Sequence, residues 1–449
     1  MENEPVDPRI ENALTLAKNL IDKLELKAPR VQTKYEYYNA DNDVRDFGIS
    51  VPKNMINSRP GVGWASRAIN SLSDRVVFDG FANDKFSINT YWDSINARQV
   101  VNKAKHDAFI GGCAFVAVGD DPSEDSDKKV LIPFTATEAT GEMDVNTGLL
   151  KWGLAVTRWG YPDDKRRKRI MGPKDYILFT PEYTVEFRDK LFYDIYENPT
   201  KRTLLHAVTR RSSADRPLGK SRLTNTARRI IQEVARLKTR EEIAEEFYST
   251  PQRYMTGLAQ GAKKDTTLDT SIGKWIAVTQ DDDGNSPTIG QLQQMSIDGF
   301  EKAKKDKARD FCAETALTLR NLGYETGNPT SAESLATMSD DLLLEAQTAQ
   351  SEMGEQIKQI AITLRMSIDG IETIPDGLKD IEPAWTPIFQ VNIGAAGDAM
   401  FKLFEVMPEL KGTRTAYQML GIGVREAERL MQARAALQNN TFMGNGGTQ

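Results

Sequence analysis

Two long segments without helix breakers constrain the fold of this chain more than any other feature of its sequence. The first, residues 222–248, contains neither glycine nor proline, and its apolar residues recur every three or four positions. As a helix it would be about 40 Å long at 1.5 Å per residue. A rod of that length needs something long to lie against. Its stripe consists of Ala227, Ile230, Ile231, Val234, Leu237, Ala244 and Phe247.

The second rod is predicted over residues 296–322, where the same spacing places Phe300, Ala308, Phe311, Thr315 and Leu319 on one face. Residues 249–295, between the two rods, form an irregular insert with Pro251 and an acidic turn at 281–284. A glycine-containing break follows the second rod. Thr330 and Glu333 then stand at capping-box spacing and predict a third long helix that ends near Met366.

The first part of the chain mixes helices with strands. Helical spacing predicts an amphipathic first helix over Pro8–Leu26, followed by an aromatic loop from Tyr35 to Phe47. A further helix is predicted from Tyr91 to Phe109. From Leu149 to Glu197, short β-type runs alternate with turn residues, a pattern typical of an antiparallel meander.

The C-terminal part is predicted to begin with an extended, proline-rich stretch at 375–391. Two or three shorter helices follow between Gly397 and Leu437, and a Gly/Asn tail from Asn439 is predicted to be disordered. Taken together, these patterns indicate an α+β chain that is mostly helical.

Composition restricts the classes of function. The chain has 58 Lys and Arg against 64 Asp and Glu, a formal charge of −6, which is the opposite of what tight duplex binding requires. The apolar runs are too short for the roughly 20 residues that cross a bilayer, and the first nine residues lack a secretory pattern. We therefore expect a cytoplasmic, water-soluble protein without a membrane partner. Cys113 and Cys312 are predicted to be core residues.

The sequence lacks the residue clusters of common enzymes. Gly219-Lys220-Ser221 resembles the end of a phosphate-binding loop, but position 214 is Ala where that loop needs Gly, and no buried strand precedes it. A structural turn is the better interpretation. The two histidines, His106 and His206, have no Cys or His at ligand spacing and are predicted to be structural. We predict no catalytic residue, no metal and no cofactor.

The order of helices, insert, break and helix resembles the portal proteins of tailed bacteriophages, in particular the siphophage-type head-to-tail connector family. The most specific match is Asn328-Pro329-Thr330-Ser331-Ala332-Glu333-Ser334, where the family has Ala at the last position. The sequence departs from the family at two places: Ser334 replaces that Ala, and Asn39-Ala40 stand where a Gly is common after the double Tyr. Other similar segments are Tyr37-Tyr38, 70–81 ending in VVFDGF, 111–119, 217–222, 251–257, 397–399 with Lys402, and 420–422.

The resemblance implies a portal-protein fold assembled as a ring. Its parts would be a wing at 1–221, a first stem helix at 222–248, a clip at 249–295 and a second stem helix at 296–322. A tunnel loop at 323–330, a long wing helix with a return strand at 331–396, and crown helices with a flexible tail at 397–449 would follow.

The function that the resemblance implies is a DNA channel. Such rings, usually of twelve copies, occupy one capsid vertex, pass double-stranded DNA during packaging and ejection, and bind terminase and a head-tail adaptor. Major capsid and scaffold proteins would be further partners. The protein would reside in the virion, and in the host cytoplasm during assembly.

Two groups of residues are candidates for contact with DNA. The tunnel loop would consist of Gly323, Tyr324, Glu325, Thr326, Gly327, Asn328 and Pro329, although this segment also fits a plain interhelical turn. A mixed-sign stripe of Lys302, Asp306, Arg309 and Arg320 would either line the channel or form salt bridges with a neighbouring subunit.

Two other classes of protein fit the sequence less well. One is a helical virion or scaffold-type interaction protein without a pore, which ring assembly would distinguish from a portal. The other is a nucleic-acid enzyme such as a nuclease or packaging ATPase, which the acidic charge and the missing phosphate loop disfavour.

Overall fold

The computed structural model describes residues 7–44, 61–121, 128–144, 146–160, 171–248, 253–256, 288–291, 296–324, 340–388 and 393–444. Helices hold 52% of the chain and strands 22%, which confirms the prediction of a mostly helical α+β protein. Within the described residues, none of the helices combines the length and the apolar character needed to cross a membrane.

The first half contains four helices and nine strands among its described residues. The helices are α1 (Pro8–Tyr38), α2 (Trp64–Ser73), α3 (Ile88–Ser94) and α4 (Ala97–Gly111). The strands are β1 (Phe78–Ala82), β2 (Cys113–Asp120), β3 (Lys129–Thr135), β4 (Ala139–Met143), β5 (Leu150–Gly160), β6 (Met171–Phe179), β7 (Tyr183–Arg188), β8 (Leu191–Glu197) and β9 (Leu205–Thr209).

In the second half the described elements are predominantly helical. The helices are α5 (Asn225–Tyr248), α6 (Asp298–Thr315), α7 (Asp340–Asp369), α8 (Ile393–Val406), α9 (Arg414–Met419) and α10 (Val424–Gly444). The strands are β10 (Arg253–Thr256), β11 (Thr288–Gln291) and β12 (Glu382–Trp385).

The chain divides into two compact units. The larger consists of Met1–Asn42, Gly63–Arg229 and Phe311–Gln449, and the smaller of Asp43–Val62 and Ile230–Asp310. In the larger unit, the meander predicted over Leu149–Glu197 is confirmed as β5 to β8, and β4, which was not predicted, extends it to an antiparallel sheet of five strands in the order β4-β5-β6-β7-β8. Helix α1 covers one face of this sheet. The shared core includes Ala13, Ala17, Leu20 and Leu24 of the helix with Leu154, Val156, Leu178, Val185 and Phe187 of the strands.

Helix α1 is longer than the sequence pattern indicates, and the predicted loop from Tyr35 is wrong for its first residues. The helix continues through Pro29 to Tyr38. A proline inside a helix removes one backbone hydrogen bond. Burial of Val31 and Tyr37 beyond it offsets that cost, and the Tyr35 hydroxyl donates to Asp107 over 3.1 Å.

A second sheet, in the order β3-β2-β9, packs beside α4. Residues 113–118 of β2 are buried on both faces of the strand, as its continuous apolar run suggests. Cys113 and Cys312 are buried free thiols, which confirms their prediction as core residues. The helix predicted over Tyr91–Phe109 is interrupted at Asn96, whose φ of +53° lies in the left-handed region that Asn tolerates.

Strand β12 pairs antiparallel with β1, far away in sequence. The pairing places Trp385 opposite Phe78, and their rings meet edge to face with centroids 5.6 Å apart. Phe81 and Trp92 complete this aromatic cluster. In the described part of the stretch predicted to be extended at 375–391, Glu382–Trp385 are extended and close the core of the larger unit, whereas Leu378–Asp380 form a 3₁₀ turn and the prediction is wrong there.

The second rod ends earlier than predicted. Helix α6 stops at Thr315, Ala316 adopts a φ of +50°, and residues 319–322 form a short 3₁₀ turn. Thr318 and Asn321 form a reciprocal capping box at this turn. Their side chains bind backbone groups of the turn, so these groups do not need the hydrogen bonds that a continued α-helix would supply. The prediction of one helix over residues 296–322 is therefore wrong after Thr315.

Three other predictions have different outcomes. The start of the third long helix at Thr330 lies outside the described residues, and its described part ends at Asp369, three residues after the predicted end. Disorder from Asn439 is wrong as far as Gly444, because α10 continues through these residues without an internal proline. In the predicted insert, β10 pairs antiparallel with β11, while most of 249–295 lies outside the described residues.

Candidate channel face and root of the tunnel loop

Three of the four predicted channel-lining residues lie on one exposed face of α6. Lys302, Asp306 and Arg309 follow one another at helical spacing. The Arg309 guanidinium binds the Asp306 carboxylate over 2.8 Å, with side-chain exposures of 60% and 53%. An ion pair this exposed contributes at most about 1 kcal/mol to folding. This face is thus available to a partner and contributes little to the stability of the fold.

The opposite side of α6 holds it against α5. Lys304 binds Glu241 over 2.7 Å, and Lys307 binds Glu233 over 2.8 Å. The sequence analysis missed both pairs. They could have been predicted from the positions of Lys304 and Lys307 beside the apolar residues Ala308 and Phe311, which are buried. Lysines that border an apolar stripe can reach a neighbouring helix.

Arg320, the fourth predicted lining residue, does not belong to this face. It is exposed in the 3₁₀ turn after α6 has ended. Of the predicted tunnel loop, Gly323 and Tyr324 are described, and Glu325 to Pro329 lie outside the described residues. Gly323 has a φ of +86°, and an added Cβ would meet no atom within 4 Å.

The turn that leads into the predicted loop is bound to α2. The Arg67 guanidinium donates to the Asn321 carbonyl over 2.9 Å. The rings of Trp64 and Phe311 pack with their centroids 5.4 Å apart. These contacts hold the end of α6 and the following turn within the larger unit.

A buried cluster of charges lies beside this turn. Glu345 of α7 binds the guanidinium groups of both Arg210 and Arg222, and all three side chains are at most 10% exposed. Burial lowers the pKa of Arg222 to about 10, which leaves it charged at neutral pH. No local signal in the sequence connects Glu345 with arginines so far away.

The Gly219-Lys220-Ser221 segment is a structural turn, as predicted. The expectation that no buried strand precedes it is wrong, because all five residues of β9 are buried. Gly219 has a φ of +73°, and the Lys220 amide donates to the Arg210 carbonyl over 2.7 Å. The Ser221 hydroxyl donates to the Ile110 carbonyl over 2.6 Å. The segment thus fastens the start of the first rod to the end of α4.

His206 is buried in the larger unit, and His106 is half-buried there. The ring nitrogens of His106 lie 3.0 Å from the Ser73 hydroxyl and 3.2 Å from the Tyr38 hydroxyl. Burial lowers the pKa of His206 to about 3. Groups of three or more His, Cys, Asp or Glu side chains that could hold a metal ion are absent from the described part of the chain.

Comparison with known proteins shows a relationship over nearly the whole length. The sequence is 22% identical over 444 residues to the portal protein of Mycobacterium phage L5, covering 94% of this chain and 88% of that protein. The chain is therefore similar to bacteriophage portal proteins over nearly its whole length. The portal protein of Mycobacterium phage D29 is 21% identical over 451 residues, covering 96% and 89% of the two chains. No family model matches the sequence.

Chains from gene transfer agent particles appear among similar solved structures. Chains in the neck of a native gene transfer agent particle (C12 symmetry) and of an empty one (C6 symmetry) match with TM-scores of 0.43 and 0.45, at 10% and 9% identity. Each match covers 83% of this chain, and 95% and 94% of the two neck chains. The predicted resemblance to portal proteins is thus confirmed by the curated relatives from the two phages.

Proposed function

We propose that this protein is the subunit of a portal ring, the channel through which double-stranded DNA enters and leaves a phage capsid. The observation that carries the proposal is the similarity to two phage portal proteins, because it covers at least 94% of this chain and 88% of each relative. The ring would have twelve copies, occupy one vertex of the virion, and assemble in the host cytoplasm. Terminase, a head-tail adaptor, and capsid and scaffold proteins would bind it.

The charges of α6 support a passage that does not hold DNA. Each Lys or Arg that neutralises a phosphate strengthens duplex binding and makes it more dependent on salt. On the exposed face of α6, Asp306 already pairs with Arg309, and Lys304 and Lys307 on the other side are bound by glutamates. Few cations are therefore left for phosphates. The chain as a whole carries a formal charge of −6.

The division into parts belongs to the same proposal. Helices α5 and α6 would form the stem, residues 249–295 the clip, residues 323–330 the tunnel loop, and α8 to α10 the crown. The salt bridges between α5 and α6 support a paired stem. The role is structural, and measured ATP hydrolysis by the pure protein would favour a packaging ATPase instead.

Purified protein is expected to form rings with a central hole. Light scattering should give the mass of about twelve 50.2 kDa subunits, and negative-stain electron microscopy should show the hole. Assembly should also be tried with the cognate scaffold protein as a control, since the partner can be needed for closure. Monomers or short rods under both conditions would favour the interaction protein without a pore.

Cysteine labelling can locate the exposed face of α6 in such a ring. The native thiols Cys113 and Cys312 are buried, so a cysteine introduced as Lys302→Cys would be the reactive one. If this face lines the channel, bound double-stranded DNA should slow maleimide labelling about tenfold or more, because the duplex screens the thiol.

The matched control is Lys18→Cys on α1, an exposed position that DNA should leave equally reactive. Equal labelling of the α6 cysteine with and without DNA would contradict a lining role. Labelling that is slow in rings regardless of DNA would instead indicate a contact with the neighbouring subunit.

A further inference from the structure

One guanidinium group joins four parts of the larger unit. Arg222 stands at the start of the first rod, and its Nη1 donates to the Ala68 carbonyl of α2 over 2.7 Å. Its Nη2 donates to the Thr315 carbonyl at the end of α6 over 2.5 Å. The same nitrogen lies 2.9 Å from the Glu345 carboxylate on α7. The side chain is 2% exposed, so water does not compete for these contacts.

The two contacts of Nη2 lie on either side of the proposed tunnel loop. Thr315 is the last residue of α6, and Glu345 lies in the second turn of α7. The residues that flank the segment 316–344, Thr315 and Glu345, therefore both bind one nitrogen atom of Arg222. The first root is the backbone of Thr315, and the second root is the side chain of Glu345.

Each root has further support, but among the residues that the structure describes only Arg222 binds both. Arg67 binds the turn after the first root at the Asn321 carbonyl. Arg210 binds Glu345 at the second root and donates to the Lys220 carbonyl over 3.1 Å. Neither residue reaches across. The planar fork of Arg222 matters here, because a lysine ammonium cannot direct donors at three separated acceptors in fixed directions.

We infer that Arg222 is a positioning residue that holds the two roots of the tunnel loop together and thereby sets where the loop enters the channel. This inference rests on the proposed portal function. A loop that contacts passing DNA experiences force along the channel, and roots fixed to one buried group pass that force to the framework of α2 and α7. Without the fork, each root is held only by its own contacts.

The test is hydrogen exchange of assembled full-length rings that carry Arg222→Lys. Amides in 316–324 and 340–350 are expected to exchange about tenfold faster, because both roots open more often. Peptides from α1 and the five-stranded sheet should be unchanged. The matched control is Arg210→Lys, which disturbs Glu345 but leaves the contact between Arg222 and Thr315, so 316–324 should change less than about twofold.

A second variant keeps the inference testable if Arg222→Lys does not fold. Glu345→Gln weakens only the second root, so exchange should rise in 340–350 and stay unchanged in 316–324. Unchanged exchange at both roots in Arg222→Lys rings, or an equal rise throughout the larger unit, would show that Arg222 does not act as a clamp between the roots.

DNA packaging separates this inference from the proposed function. Rings of Arg222→Lys should package several-fold less DNA than rings of Arg210→Lys when supplied with the cognate terminase and empty heads. Faster exchange at the roots with normal packaging would overturn the positioning role while the portal function stands. If even wild-type rings package no DNA, the portal function itself fails, and the exchange data alone decide whether the clamp exists.

Discussion

Replacing Gly219 by alanine is expected to lower the free energy of unfolding by about 4 kcal/mol, the sum of backbone strain and overpacking. Gly219 has a φ of +73°, where a Cβ is strained. That Cβ would also lie 2.6 Å from the carbonyl oxygens of both Arg210 and Gly112. Both are backbone atoms that accept hydrogen bonds, the Gly112 carbonyl from the Arg210 amide and the Arg210 carbonyl from the Lys220 amide, so neither can move easily.

Gly148→Ala is the matched control for this prediction. Gly148 has a similar φ of +68°, but an added Cβ would meet nothing within 4 Å. Its alanine variant should therefore carry the strain alone, about 1 kcal/mol. Chemical unfolding of the two variants and the wild type measures both costs. Equal losses of stability in the two variants would show that steric contact at Gly219 is unimportant.

His206 is expected to make the protein about 3 kcal/mol less stable at pH 4 than at pH 7, apart from the effects of carboxyl groups. Its pKa falls from an ordinary 6.5 to about 3, mainly because burial disfavours the charged ring and secondarily because Arg202 is near. Between these values the unfolded chain binds a proton that the folded chain rejects. This contribution to stability is therefore lost as the pH falls from 6.5 towards 3, and it is fully present above pH 6.5.

The variant His206→Leu should remove this part of the pH dependence. His206 lies on the face of β9 opposite Leu205 and Ala207, and its buried Nε2 atom has no hydrogen-bond partner among the described residues. Leucine should therefore be tolerated at neutral pH. Unfolding curves of wild type and variant should diverge by about 3 kcal/mol between pH 7 and pH 4. Curves that stay parallel would mean that His206 takes up its proton in the folded protein.

Much of the secondary structure could be predicted because it depends on residues close together in sequence. The first rod begins within three residues of its predicted start and ends at the predicted Tyr248. The meander follows the alternation of its side chains. The shared face of Lys302, Asp306 and Arg309 likewise follows from helical spacing alone, since residues three and four apart are neighbours on a helix.

The boundaries of several elements depend on contacts that the local pattern does not contain. Helix α1 passes through Pro29 because residues on both sides of it are buried by other elements. Helix α6 ends at Thr315, where the carbonyl group accepts a hydrogen bond from Arg222, far away in the chain. As a result, Arg320 leaves the face to which a continuous helix would have assigned it.

The sequence by itself determined the mostly helical α+β class, the two rods, the meander, the buried cysteines and the structural nature of the glycine-lysine-serine turn. Each of these follows from periodicity, turn chemistry or residue type over a short stretch. Only the tertiary structure decided that Arg210, Arg222 and Glu345 share one buried site and that both roots of the proposed loop meet at Arg222. Burying charges is favourable only when partners from separate elements arrive together, and that condition depends on the whole fold.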